Sequence, residues 1–190
     1  MNYAIEMDRT LQSLGAETPR VLLQACCAPC STVVLEQLSE RLDLSLLYYN
    51  PNTMPKEEYT KRLAAFSLLR PHYGFQLVEG SWDNAEFAER VKGMEKLPEG
   101  GARCAVCIRM RLERTAKLAR AEGYEFFGTT LTVGPRKNPD LINGIGYALA
   151  ETYGVKWFPA DFKKRNGFRR SVELSRQYGL YRQDYCGCRL

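Results

Sequence analysis

The chain has 190 residues, 45% apolar and 26% charged. That is close to the globular average and excludes collagen, a long coiled coil and wholesale disorder. The net charge of +5 is unevenly spread, with +6 in residues 162–190 and −1 in residues 1–161. Such asymmetry points to a polyanion partner, RNA or DNA most commonly, or to a solvated basic face. The length suits one domain with a core that needs no disulfide staples. No apolar run approaches the ~20 residues that cross a bilayer. The start, MNYAIEMDRT, lacks a basic end followed by an apolar stretch, so a cytoplasmic protein with no membrane contact is expected.

Residues 1–19 are expected to form an extra helix outside the main sheet. RVLLQA, 20–25, reads as a short buried strand, followed by a helix over 31–41 through Val34, Leu35 and Leu38. A second strand, 44–49, stops at Asn50-Pro51-Asn52. Pro55 fits a first helical turn, with a helix to about Arg70 and an apolar stripe of Leu63, Phe66 and Leu69. The third strand is 75–80. Asp83 and Glu86 have the spacing of a capping box for a short helix. LPEGGAR, 97–103, is a loop. A long helix then runs from about Cys104 to Glu122, with Ile108, Leu112, Thr115, Ala116 and Ala119 on one face. A fourth strand (125–131), a helix (141–153) ending at Gly154, a fifth strand (155–162) and a helix (168–177) precede the tail GLYRQDYCGCRL. Strand and helix alternate throughout, which predicts a single α/β domain with a mostly parallel sheet flanked by helices. The functional loops of such a sheet lie at the carboxyl ends of its strands.

Chemistry is concentrated in seven Cys against a single His, His72, which lies in a turn and reads as structural. The thiols form three clusters: Cys26-Cys27-Ala-Pro-Cys30, Cys104-x-x-Cys107 and Cys186-Gly-Cys188. In a reducing compartment such clusters indicate metal or redox chemistry more than a disulfide framework. CCAPC stands where a nucleotide-binding α/β protein carries its phosphate loop. A helix start there lowers thiol pKa and makes good thiolate ligands. Cys104 and Cys107 share one face at the beginning of their helix. Together the two clusters offer four or five thiolates, open to an iron–sulfur cluster, a structural zinc or plain core thiols. The adjacent pair Cys26-Cys27 is awkward for the usual zinc spacing, which favours iron–sulfur. Cys186-Gly-Cys188 would form a strained, easily reduced disulfide on a mobile tail. The alternatives are two more metal ligands or an inert end.

The segments LLQACCAPCS (22–31), YYNPNTMPKEEYTKR (48–62), VKGMEKLPEGGARCAVCIRMRLERTA (91–116), GTTLTVGPRKN (128–138), ADFKKRNGFRRSVELS (160–175) and LYRQDYCGC (180–188) together resemble the QueH family of epoxyqueuosine reductases in bacterial tRNA modification. The resemblance implies reduction of the epoxide of epoxyqueuosine at the tRNA wobble position to give queuosine. It implies a 4Fe–4S cluster on Cys26, Cys27, Cys104 and Cys107, an additional iron beside it, and a redox-active pair at Cys186 and Cys188. It also implies a fold related to the nucleotide-binding α-hydrolase-like folds, with the Cys-rich loop in place of the phosphate loop. Cys30 is then the candidate ligand of the second iron, with Asp161 or Asp184 open as carboxylate partners. An electron donor is required.

Around this core, Tyr48, Tyr49 and Tyr59 are read either as stacking platforms for an anticodon base or as core. Asn50 and Asn52 could read base edges or simply make turns. Arg109, Arg111 and Arg114 could meet phosphate or neutralise a cluster. Thr129, Thr130, Arg136 and Lys137 lie on the substrate rim. Lys163, Lys164, Arg169 and Arg170, in the basic segment of about 162–190, are the candidate tRNA-backbone contacts, and Tyr181, Arg182 and Gln183 position the tail. Two other functions compete. One is a zinc-stabilised RNA-binding module without redox activity. The other is a tRNA thiolation enzyme, which would need an S-G-G-x-D-S loop where CCAPCS stands.

Overall fold

The computed structural model describes residues 1–188. In chain order it contains α1 (Tyr3–Ser13), β1 (Arg20–Gln24), α2 (Ala28–Leu38), β2 (Asp43–Tyr48), α3 (Lys56–Ala64), β3 (Gln76–Glu79), α4 (Asn84–Arg90), α5 (Ala102–Ala121), β4 (Phe126–Thr129), α6 (Pro139–Tyr153), β5 (Lys156–Trp157) and α7 (Gly167–Gln177). The five strands form one parallel sheet in the order β3-β2-β1-β4-β5.

β1 lies at the centre, and Val21, Leu22 and Leu23 have no exposed surface. A strand covered on both faces needs a continuous apolar run rather than alternation, which is what RVLLQ supplies. Val21, Leu23 and Leu46 join the core on one face with Val34, Leu38, Phe158, Phe162 and Leu174. Leu22 and Leu47 join the other with Leu112, Ala116, Phe127, Ile142 and Trp157. Each such buried aliphatic or aromatic side chain contributes about 1.5–3 kcal/mol. α2 packs on α7, and α5 packs on α6, β1 and β4. The same double coverage buries both Tyr48 and Tyr49, where simple alternation would have exposed one.

Several expected boundaries shift. α2 begins at Ala28, not Ser31, so Cys30 lies inside its first turn. The helix expected to reach Arg70 stops at Ala64 and tightens into a 3-10 turn over Ala65–Leu68. Pro55 takes the cap position of α3 rather than its first turn. Asp83 takes the N-cap position of α4, but no side-chain capping bond forms. Its carboxylate accepts instead from Ser81 (2.8 Å) and Tyr49 (3.1 Å), while Glu86 pairs with Arg90. The fifth strand is two residues long, because the chain turns away at Pro159 and Ala160 N–H bonds Asn143 Oδ1 at 3.2 Å.

The strand order fixes where a site can form. The chain moves outward from β1 to β2 to β3, then crosses back to place β4 on the other side of β1. The loops leaving β1 and β4 therefore diverge and open a crevice at their carboxyl ends. CCAPC leaves β1 into that crevice. Cys26 meets Thr130, beyond β4, through its N–H (3.3 Å to Oγ1) and its thiol (3.6 Å).

Candidate metal centre

Cys27 occupies the N-cap position of α2, and its side chain makes no capping bond. The first turn of the helix thus presents N–H groups and the positive end of its dipole to the thiols around it. The sulfurs of Cys26, Cys27 and Cys30 all lie within 4.8 Å of one another, with Cys26 and Cys27 3.8 Å apart. Sulfurs held about 2.3 Å from one ion stand in this range of one another, so the trio could bind a metal. Hydrogen bonds from Cys27 and Cys30, then from Thr130, hold the Cys26 thiol well below its ordinary value of 9.0. Sharing with Cys26 pushes Cys27 up to about 12 and raises Cys30 as well. Cys26 is the first of the three to ionise.

A second thiol group lies on α5. Cys104 and Cys107 stand in the opening turns of α5, and Gly100 N–H bonds Cys104 Sγ at 3.2 Å. With Cys186, Cys188, Lys137 and Arg111 they line a cavity of about 10 Å³. Cys26, Cys30, Cys186, Arg111 and Lys137 also line a larger cavity of about 410 Å³, whose other walls include Asn50, Asn52, Thr53, Arg62, Pro135 and Asp184. Arg111, Lys137 and Cys186 belong to both cavities and join the two thiol groups.

Arg111 is 3% exposed. Burial alone would lower its pKa, but the surrounding Cys107, Cys186, Cys26 and Cys188 raise it, so it stays a cation among the sulfurs. Its Nη1 donates to Asn50 Oδ1 at 3.0 Å. Lys137 is held the same way: burial pulls it down, yet Cys186 and Glu99 bring it above its ordinary value. Its Nζ lies 3.0 Å from Glu99 and 3.6 Å from Cys186 Sγ. Cys186, hydrogen-bonded by Cys188 and facing Lys137 and Arg111, falls to about 5, while Cys188 is raised in exchange. Sulfur donors with buried cations opposite them fit a thiolate-held metal or iron–sulfur group, whose negative charge needs such compensation.

The tail packs against the body of the protein. Met54 N–H donates to Gly187 O at 3.0 Å, and Arg62 Nη1 to Cys186 O at 3.1 Å, which seats the CGC segment against the crevice. All seven cysteines are free, so Cys186 and Cys188 are not joined as a disulfide.

The expected nucleic-acid contacts are placed differently. Tyr49 is 2% exposed with its hydroxyl on Asp83. Asn50 is 1% exposed with its amide engaged by Gln24, Ala25 and Arg111. Tyr49 is turned inward, while Asn50, though nearly buried, reaches the wall of the larger cavity. Tyr48 and Tyr59 likewise spend their hydroxyls on the carbonyls of Tyr59 and Gly80. Arg136 pairs with Glu99, Lys163 with Asp161, Arg169 with Glu173 and Arg170 with Glu36. Lys164 and Arg169 are exposed. Arg189, part of the basic surplus, lies outside the described residues. His72 stacks on Tyr178, ring centroids 4.2 Å apart.

Sequence reasoning missed Arg62, Glu58 and Thr53 at the site. Their only signal was the i,i+4 spacing of Glu58 and Arg62, which normally marks a solvated face. It had placed Lys137 on a tRNA rim and not beside a thiol.

Comparison with known proteins supplies the relationship. Residues 21–190 match the family model described as epoxyqueuosine reductase QueH. Proteins named epoxyqueuosine reductase QueH, an oxidoreductase activity, are similar to the chain. The one from Streptococcus pyogenes serotype M1 is 38% identical over 98% of this chain and 78% of its own length. That from Staphylococcus epidermidis is 38% identical over 98% and 84%, and that from Thermotoga maritima 40% identical over 88% of each. With the cysteine crevice at the switch point of its sheet and this likeness over nearly its whole length, the chain belongs to the QueH family of epoxyqueuosine reductases.

Proposed function

We propose that this protein reduces the epoxide of epoxyqueuosine at the wobble position of tRNA, in the cytoplasm. The epoxide takes up two electrons and two protons, both of its C–O bonds break, an alkene forms in the base, and the oxygen leaves as water. The observation that carries this reading is the gathering of three sequence-distant thiol groups around two cavities that share Arg111, Lys137 and Cys186. The family resemblance gives Cys26, Cys27, Cys104 and Cys107 as the residues that would hold a 4Fe–4S cluster, and Cys30 as a ligand of an adjacent iron. When bound, such a group supplies single electrons and a Lewis acid for the epoxide oxygen.

The chain's own residues do the rest. The 410 Å³ cavity has the volume of a site for a small ligand, which suits a single modified base. Arg111 and Lys137 offset the negative charge of the thiolates and favour uptake of an anionic substrate strand. The Lys137 ammonium, 3.6 Å from Cys186 Sγ, keeps a proton at the cavity wall. Cys186 and Cys188 form the redox pair that resets the site, fed by an external electron donor. Lys163, Lys164, Arg169, Arg170 and Arg136 contact the tRNA backbone.

The test is anaerobic purification followed by iron and sulfide analysis, visible absorption and turnover on tRNA bearing the epoxide. Four or more irons per chain, a reductant-bleachable band and conversion of the base support the reading. A colourless protein with stoichiometric zinc, unchanged by reconstitution with iron and sulfide, would replace it with the zinc-stabilised RNA-binding module. The close spacing of the Cys26, Cys27 and Cys30 sulfurs, suited to one ion, is the feature that module would use.

A further inference from the structure

Glu58 and Arg62 stand one turn apart on α3 and are only 8% and 3% exposed. A charge pair at this spacing ordinarily lies on the wet face of a helix. Here that face is covered by the tail that follows α7. The tail carries no helix or strand from Leu180 to Cys188, so its position depends on the contacts it makes.

Those contacts converge on the pair. Arg62 Nε donates to Glu58 Oε1 at 2.7 Å, and Arg62 Nη1 reaches over to the Cys186 carbonyl at 3.1 Å. The Tyr181 hydroxyl donates to the Glu58 carboxylate at 3.1 and 3.2 Å. The guanidinium lies 5.2 Å from the centre of the Tyr185 ring, and Lys61 Nζ lies 3.5 Å from that of Tyr181. Gly187 has φ +100, and a Cβ there would stand 3.1–3.3 Å from the Arg62 guanidinium. The tail thus passes the fork at a point that admits only glycine. A buried ion pair on a single helix adds little stability for its desolvation cost. The hydrogen bonds that this pair makes beyond itself run to the tail.

We propose that the Glu58–Arg62 pair is the positioning device of the Cys186–Cys188 tail. Intact, it holds the tail as one wall of the large cavity and fixes Cys186 beside Lys137. Broken, it releases the segment from Tyr181 onward while the sheet and its helices stay folded. Glu58 acts only through Arg62 and the tail, while Arg62 also forms part of the cavity wall and holds the Cys186 carbonyl. The inference rests on the proposed function only for the redox role of the two tail thiols.

The experiment uses the full chain, purified anaerobically, and follows two readouts by mass spectrometry: tryptic cleavage after Arg182 and alkylation of Cys186. Three variants are compared. Arg62→Ala removes the fork. Arg62→Lys keeps the charge opposite Glu58 but lacks the planar fork. Gly187→Ala strains the tail and crowds the fork from the tail side with the Glu58–Arg62 pair itself kept, so it carries the test if an Arg62 variant does not fold. Loss of one charge-assisted hydrogen bond of this kind amounts to roughly tenfold to hundredfold in an equilibrium. Cleavage and alkylation are therefore expected to accelerate at least about tenfold in all three, with far-UV dichroism unchanged. Folded Arg62→Lys and Gly187→Ala proteins whose tails stay as protected as wild type overturn the proposal, whatever their turnover. Tails that open while turnover on tRNA is unaffected uphold the latch and instead remove the redox role of the thiols.

Discussion

Replacing Asn50 by Leu keeps the approximate shape of the side chain and removes its three hydrogen bonds. Nδ2 no longer donates to Ala25 O (2.9 Å), and Oδ1 no longer accepts from Gln24 Nε2 (3.2 Å) or Arg111 Nη1 (3.0 Å). Gln24 keeps its bond to Tyr49 O at 3.1 Å. Ala25 O and Arg111 Nη1 lose a partner at a nearly buried position on the cavity wall, and Arg111 Nε already has none. A neutral buried acceptor left alone costs about 1–3 kcal/mol, and a lost bond from a charged donor about 1.5–3 kcal/mol. Since the two share a site they do not simply add, and about 3–5 kcal/mol is expected. At about 2–4 °C per kcal/mol for a chain of this size, the melting point falls by roughly 6–20 °C. The assay is urea unfolding under reductant and chelator, so that the protein alone is measured. The midpoint should drop with little change in slope. Asn50→Asp keeps the acceptor for Arg111 and should lose less. A leucine variant within about 1 kcal/mol of wild type would refute the network. Weakened tRNA binding at full stability would mean that Asn50 reads a base after all.

Neutralising Lys163, Lys164, Arg169 and Arg170 together should weaken tRNA binding and flatten its salt dependence. The log–log slope should fall by about 0.7–0.9 for each phosphate contact removed, read by fluorescence anisotropy. Arg170, already bonded to Glu36, should contribute least, and an unchanged slope excludes this surface. Gly167→Ala would drive a Cβ into the Phe162 carbonyl oxygen. Because the obstacle is backbone, a loss of about 1–3 kcal/mol is expected, and an unaltered thermal melt contradicts it. Burial alone would raise Glu58, but Arg62 and Tyr181 keep its pKa below the ordinary 4.5. The stabilisation is present above the unfolded value and disappears as pH falls through the lower folded one. The melting-point gap between wild type and Glu58→Gln should therefore close below about pH 4.5; a gap constant down to pH 3 shows that the carboxylate charge is not what stabilises.

Local physics made much of this fold readable. The apolar run of β1, the Gly154 stop after α6 and the face of α5 through Ile108, Leu112 and Ala116 are all written in neighbouring residues, and all appear as expected. Misplaced boundaries trace to tertiary competition. Asp83 has capping chemistry, but Tyr49 and Ser81 take its oxygens. β5 is cut short because Asn143, on α6, takes the Ala160 N–H. The cysteine clusters stand out by spacing, and Arg111 could be suspected from its place one turn after Cys107. The partners of Cys186 could not. Lys137 and Arg62 reach it across 49 and 124 residues of chain, and no periodicity encodes that meeting. Nor does spacing show that Glu58 and Arg62, an ordinary surface pattern, are buried.

The docking of Gly187 and Cys186 onto Met54, Arg62 and Lys137 has a consequence in time. A ribosome adding about 5–20 residues per second needs roughly 4–16 s to go from Cys107 to Cys186. During that interval CCAPC and CAVC exist as part of a nascent chain whose crevice still lacks one wall. Inorganic iron, zinc or an oxidant can reach those thiols then more easily than after the tail seats. The order of events during synthesis, and not affinity alone, therefore helps decide which species the finished site encloses.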